Sequence, residues 1–489
     1  MSTGHSPDRE RSSGRPDQDS YARAFAPIFL ANLLPLAGVV WLGWEPATLV
    51  LIYGIEVLVS LLVAGGKALF AARPPPADRD GLFSVSDAPL LDKRGTVRPI
   101  ATLPPIYVRN VPFATAVCSS IVLYGFFFSV AFVGIFETDG GITDPIVLGS
   151  ILALVVGQLV ETRQQYVGRG AYNEQSPYAV IETPGRQLFV LLFALGTVGL
   201  GVGATGTLIL VVGVKLFLEW STFRANRTTD ETNRFIDRFA GWMAGRVETT
   251  EPAAPVRVPS DEPTARVRPD RTAVALDGVV DSLWHLAFVV PFAAVIWFVV
   301  LIPIVEQTSS TVAVILGVAV VLALIPVAIA IQAGRYYLAY GPLEYQRRGD
   351  QLVVYDRLLE EFQWAEPIDE LRDVALVPDR FADQVLGTQT IAVTTGWGET
   401  ETKRTLGPVT DPDRLVEAFD LPLASTALDP IDRRLAAVAV GLGAAIVLTV
   451  CALLVVPGLA DSRGETIFFL LLLLIVPHEL WTRACPDPE

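Results

Sequence analysis

Leu343-Glu344-Tyr345-Gln346-Arg347-Arg348-Gly349-Asp350-Gln351-Leu352-Val353-Val354-Tyr355 reads as two short strands closing on a Gly-Asp turn. Further short strands are expected at 359–365, 372–377, 389–395 and 401–406. Pro367, Pro378-Asp379 and Gly396-Trp397-Gly398 supply the turns between them. Asp411-Pro412 is a helix N-cap followed by proline at the first helical position, and Leu415, Val416 and Phe419 then give one apolar face. Gly341 to Asp420 is therefore expected to be a small β-barrel or sandwich plugged by one helix.

Outside this run the chain turns apolar. Half of its 489 residues are hydrophobic, too many for an ordinary soluble protein. Ten segments are long enough to cross, or nearly cross, a ~30 Å hydrocarbon core. They lie at 24–44, 47–72, 111–136, 143–161, 187–203, 206–222, 282–305, 311–333, 435–458 and 466–482. The fold class expected is a mainly α membrane protein of about ten transmembrane helices with one small β-module. Gly201, Gly203 and Gly206 match a nucleotide-binding glycine pattern, but here they form a bend between two apolar segments.

The domain boundaries expected are a polar tail at 1–22, a six-helix unit at 23–222, and an interfacial helix with a disordered linker at 223–281. A hairpin at 282–333, the β-module at 335–420 and a second hairpin at 435–482 follow. Within the linker, Phe235, Phe239, Trp242 and Met243 recur at helical spacing, and a proline-rich stretch from Glu248 to Arg271 comes next. The connection at 73–110 reads as irregular. Basic residues concentrate in alternate connections, with Arg463 the one exception, so both termini and the β-module are expected in the cytoplasm of a multi-pass membrane protein.

Two resemblances join these readings. Leu343–Phe419 resembles the bacterial pleckstrin-homology-like family in its early hairpin, in Ile368-Asp369-Glu370-Leu371, and in Asp379-Arg380-Phe381 leading to Leu386-Gly387. Tyr53-Gly54-Ile55-Glu56 and Lys215-Leu216-Phe217-Leu218-Glu219 resemble an uncharacterised multi-helix membrane family, domain of unknown function 6498. Where that family has Asp in the second motif, this chain has Glu219. The resemblance implies a six-helix unit and no activity.

Net charge is −15, and only four of 37 basic residues are lysines: Lys67, Lys93, Lys215 and Lys403. Excess carboxylates with scarce lysine suit concentrated salt, which screens their repulsion, and point to a halophilic archaeon. A high-GC genome would also favour arginine over lysine. Cys118, Cys451 and Cys485 suggest neither a disulfide framework nor a zinc site, and His5, His285 and His478 do not cluster. No cofactor, catalytic motif or nucleic-acid role is expected. From Gly341 to Asp420, eight basic residues face seventeen acids. A protein partner or self-association thus fits the module better than an anionic lipid headgroup.

The candidate site residues are the polar groups of apolar segments: Glu56, Gln158, Lys215 and Glu219. Glu56 and Lys215 each lie about nine residues into segments expected to run inward. At ~1.5 Å per residue both sit roughly 13 Å deep, so an ion pair is feasible. Glu219, one turn from Lys215, is a competing partner. Such charges serve either as a structural brace or as an ion or proton pathway. The function expected is a membrane interaction or scaffold protein in contact with the lipid bilayer, not an enzyme. The alternative is an ion- or proton-coupled transporter.

Overall fold

The computed structural model describes residues 36–41, 43–75, 85, 90–135, 145–194, 200–225, 254–285, 311–396, 398, 401–423, 425–428, 430–455, 466, 469–470 and 472–485. The amphipathic stretch expected near 234–247, and most of segments 24–44 and 282–305, fall outside these residues. Two compact units divide the chain. One comprises Met1–Val57, Gly134–Leu154 and Thr183–Val247; the other comprises Leu58–Val133, Val155–Glu182 and Glu248–Glu489.

After helical positions at 36–41 come α1 (Pro46–Phe70), α2 (Val111–Ile135), α3 (Pro145–Glu161), α4 (Pro177–Ala194) and α5 (Leu200–Ala225). The second unit adds a helix at 271–285 (α6), α7 (Thr311–Tyr340), α8 (Phe381–Leu386), α9 (Pro412–Ala418), α10 (Arg433–Val455) and α11 (Ile475–Ala484).

The expectation of about ten crossings is corrected. Among the described residues two helices are long and apolar enough to cross a membrane, α1 and Arg433–Val450 of α10, with Thr205–Leu218 a shorter apolar helix. The bend expected between the fifth and sixth segments is present. Gly203 takes φ +68° and ψ −179° inside α5, so the apolar helix beyond it is too short to span. Helix α4 starts at Pro177, ten residues before the expected segment, and carries Glu182, Pro184 and Arg186 within its length. The run at 466–482 ends in the ten-residue α11, after helical positions at 466, 469–470 and 472.

In the second unit, Asn110 joins two helices. Its side-chain nitrogen donates to the carbonyls of Ala68 and Ala71, each at 2.8 Å, satisfying the open C-terminus of α1 just before α2 begins. The connection expected to be irregular contains a small antiparallel pair, β1 (Thr96–Val97) with β2 (Ile106–Tyr107).

The β-module is two antiparallel sheets. The first has order β3-β4-β5-β6, made of Ala265–Val267, Leu343–Arg348, Gln351–Asp356 and Glu361–Pro367. The second is β7-β8-β9, made of Arg372–Leu376, Gln389–Thr395 and Thr402–Val409. Inward residues of both sheets, among them Tyr345, Leu352, Val354, Ile391, Val393 and Leu406, share one buried cluster with Leu415 of α9 and Phe419 just after it. Asp411 caps α9 by accepting from the Arg414 amide at 3.1 Å.

One strand lies where a disordered linker was expected. β3 pairs along β4, with Ala265 opposite Arg347 and Val267 opposite Tyr345, and Val267 enters the core. Pro263 and Pro269 bracket it, which suits a short edge strand that needs few ladder donors. Prolines that looked like a tether thus delimit a strand.

Candidate functional site

Glu56 and Lys215 meet in the first unit. The Lys215 ammonium donates to Glu56 Oε2 at 2.7 Å, with 24% of each side chain exposed. The Lys215 nitrogen also lies 4.7 Å from the centre of the Tyr53 ring. Tyr53 and Glu56 are three residues apart on α1, so the helix presents both to the same cation. Tyr53 was missed as a site residue although it opens the quoted motif; its spacing from Glu56 was the available signal. A cation held by a carboxylate and an aromatic face is locally neutralised on two sides.

Of the other two candidates, one lies elsewhere and the side chain of the other is not described. Gln158 belongs to the second unit, where it donates to the Ser60 hydroxyl at 2.5 Å. Glu219 follows Lys215 by one turn of α5, and its side chain is not among those described. Glu56→Gln and Lys215→Met, made singly and together in the full chain, are expected to show a coupling of ~0.5–3 kcal/mol in thermal unfolding. Strict additivity would mean the pair contributes nothing.

A second polar centre was not read from sequence. Lys93 is buried and reaches three acceptors: Asp356 Oδ2 at 2.8 Å, the Ala339 carbonyl at 2.9 Å and the Leu338 carbonyl. The two carbonyls accept hydrogen bonds from the ammonium, and Asp356 supplies its counter-charge. Burial pulls the Lys93 ammonium below its ordinary range, opposed by the adjacent Asp356 charge. The other Asp356 oxygen accepts from the Leu358 and Leu359 amides at 2.8 and 2.9 Å. Next door, one side-chain amide replaces a strand pairing: Arg94 N donates to Gln363 Oε1 at 2.8 Å, and Gln363 Nε2 donates to the Arg94 carbonyl at 3.1 Å. Leu90, Val108, Ala339 and Leu359 close an apolar cluster around this joint.

A third joint lies between α6 and the module. Asp277 Oδ1 accepts from the Ala382 amide at 3.0 Å, and its other oxygen lies 3.6 Å from Arg380 Nη1. Burial raises the Asp277 carboxyl above the usual range; the Ala382 amide and Arg380 oppose that shift. The Arg380 guanidinium lies 6.0 Å from the Tyr340 ring centre. Further along, Trp481 of α11 donates its indole N–H to the Asp379 carbonyl at 2.9 Å.

These polar groups are spent on holding segments together. Among the described residues no group of three or more His, Cys, Asp or Glu is placed to hold a metal ion. His478 lies against Trp284, ring centres 4.5 Å apart, and His285 accompanies Asp281.

A family described as one of unknown function (DUF6498) matches residues 15–234, which include both the Tyr53–Glu56 and the Lys215–Glu219 motifs. That match covers under half of the chain. No curated protein and no solved structure matches.

Proposed function

We propose that this chain is a membrane-anchored interaction protein that holds a pleckstrin-homology-like module as a fixed platform for a protein partner. The observation that carries it is the set of clasps on the module. Lys93 from the 90–95 segment, β3 from the 254–267 segment, Asp277 from α6 and Trp481 from α11 all grip it. A platform fixed at four points suits presentation of one surface in one orientation. Four strands, then three, then a closing helix support the pleckstrin-like reading.

The flanks of the two candidate spans support a cytoplasmic side for the module. Lys67 sits in the last turn of α1, and Arg433-Arg434 open α10 straight after the module. Basic residues at these ends favour a cytoplasmic module. Its surface is acidic by disposition as well as by count. Arg347 pairs with Asp420 at 2.7 Å, Arg380 with Asp277, and Arg404 stacks on Trp364, while Asp369, Glu370 and Asp373 stand exposed. The partner face favoured is therefore basic protein, and the excess of carboxylates fits a salt-rich cytoplasm.

Full-length protein in nanodiscs, used as bait, is expected to recover the same protein in replicate captures. Asp369, Glu370 and Asp373 all changed to Lys should lose it. Reconstituted vesicles are expected to show no proton or ion flux. A flux abolished by Glu56→Gln in protein that still folds would replace this reading with the transporter.

A further inference from the structure

We propose that the β-module rests on the bilayer of its own anchor through two apolar tips, Leu358 in the β5–β6 turn and Val385-Leu386 at the end of α8. This rests on the reading that α10 crosses the membrane. All three side chains are largely open to solvent, at 50%, 57% and 44% exposure respectively. Single exposed apolar residues are ordinary, so it is their position that matters.

The level of the membrane surface can be traced through contacts within the second unit. Asp432 N donates to the Ala484 carbonyl at 2.9 Å, which puts the start of α10 and the end of α11 side by side. Arg433 and Arg434 mark that level as the edge of the hydrocarbon. One turn back along α11, Trp481 packs on Phe381, the first residue of α8, with ring centres 5.1 Å apart. The same indole holds the Asp379 carbonyl at 2.9 Å. Helix α8 is therefore tied to the boundary by a tryptophan, the residue that prefers that depth.

Arg380, the residue before α8, lies 6.0 Å from the ring centre of Tyr340 at the end of α7, and Leu358 is tied to that same end by another route. The carbonyls that close α7, at Leu338 and Ala339, hold Lys93, and Lys93 holds Asp356. Asp356 in turn fixes the Leu358 and Leu359 amides at 2.8 and 2.9 Å. Leu359 turns inward against Ala339, which leaves Leu358 outward beside the end of α7. By contrast, the Gly349-Asp350 turn lies at the far end of β4 and β5, six residues or ~20 Å away.

The partner surface is apolar lipid rather than charged headgroup. Gly341–Asp420 carries seventeen acids and eight bases, so anionic lipid would repel the module. Attraction by burial of Leu and Val side chains needs no headgroup charge and little depends on salt.

The test uses the full chain in nanodiscs of zwitterionic lipid, with an environment-sensitive fluorescent amino acid incorporated at one position at a time. Lipids carrying a nitroxide at a shallow or a deep acyl position serve as quenchers. Positions 358 and 385 are expected to be quenched by the shallow nitroxide, equally at low and high salt. Position 350 should stay unquenched. Position 442, in mid-α10, should be quenched by the deep nitroxide. Quenching at 442 but not at 358 or 385 overturns the proposal while leaving the anchor intact. No quenching at 442 removes the anchor itself, and the proposal with it. Quenching that requires anionic lipid would assign the contact to headgroups and also overturn it.

Discussion

Lys93→Ala is expected to destabilise the second unit by ~3–5 kcal/mol, because it leaves the Asp356 carboxylate buried without its cation. Both side chains of this pair are almost fully enclosed, at 4% and 0% exposure, so solvent screens little of the loss. Two carbonyls at the end of α7 lose their donor in the same change. Lys93→Met combined with Asp356→Asn should recover most of the stability. The Asn oxygen can still accept from the Leu358 and Leu359 amides, and no charge remains buried. Thermal unfolding and hydrogen exchange of the full chain check this, with slowed exchange at residues 358 and 359 the local marker. If Lys93→Ala unfolds within ~0.5 kcal/mol of the parent, Asp356 does not depend on Lys93 and the joint is not a clasp.

Lys93→Arg is the sharper variant. In a chain where arginine outnumbers lysine so heavily, a retained lysine invites a reason, and the acceptors supply one. A compact ammonium can point its three N–H groups at three oxygens around one point; a planar guanidinium fork is longer and cannot. The substitution preserves charge yet is expected to lose much of the stability that Lys93→Ala loses. Lys215 follows the same logic with one carboxylate and one ring. Composition read as an adaptation to salt thus also marks two structural sites.

What could be read from sequence was whatever short-range chemistry dictates. The Gly349-Asp350 hairpin follows from turn residues between two short stretches that alternate apolar and polar or are apolar, and the start of α9 follows from Asp411 before Pro412. The Glu56–Lys215 pair was legible because two charges at equal depth in apolar helices have few other ways to be satisfied. What stayed hidden depends on contacts far apart in the chain. β3 has three residues and no alternation long enough to signal a strand, and its pairing with β4 joins residues about eighty apart. Lys93 sits in a connection with no periodicity, and only the folded module supplies its acceptors. Apolar length proved the least reliable guide: the segment read from residue 187 belongs to a helix that begins at Pro177 and carries Glu182, Pro184 and Arg186.

Gly407→Ala is expected to disrupt the second sheet by more than ~3 kcal/mol, whereas Gly387→Ala should cost only about 1–2 kcal/mol. Both glycines have positive φ, at +125° and +68°, so conformation alone penalises either change. Space separates them. A Cβ on Gly407 would lie 2.7 Å from the Gln389 carbonyl oxygen and 3.0 Å from Thr390 Cα, both backbone atoms of β8. Neither atom can rotate away, so β8 and β9 would have to part. On Gly387 a Cβ would meet nothing within 4 Å. Gly407 also donates its N–H to the Tyr345 hydroxyl at 2.9 Å, and Tyr345 is fully buried in the first sheet. Burial pushes the Tyr345 hydroxyl up to about 12, so it stays protonated through the neutral range. One close approach therefore serves both sheets: it lets β9 lie against β8, and it links β9 to β4. Tyr345→Phe keeps the approach and removes the link, leaving a buried N–H unpaired at a cost of ~1–3 kcal/mol. Hydrogen exchange across Gln389–Thr395 and Leu343–Arg348 separates the two effects in the full chain. Gly407→Ala should expose both stretches, and Tyr345→Phe should weaken both without opening β8 from β9. Equal, small effects of Gly407→Ala and Gly387→Ala would mean that β9 does not lie this close to β8.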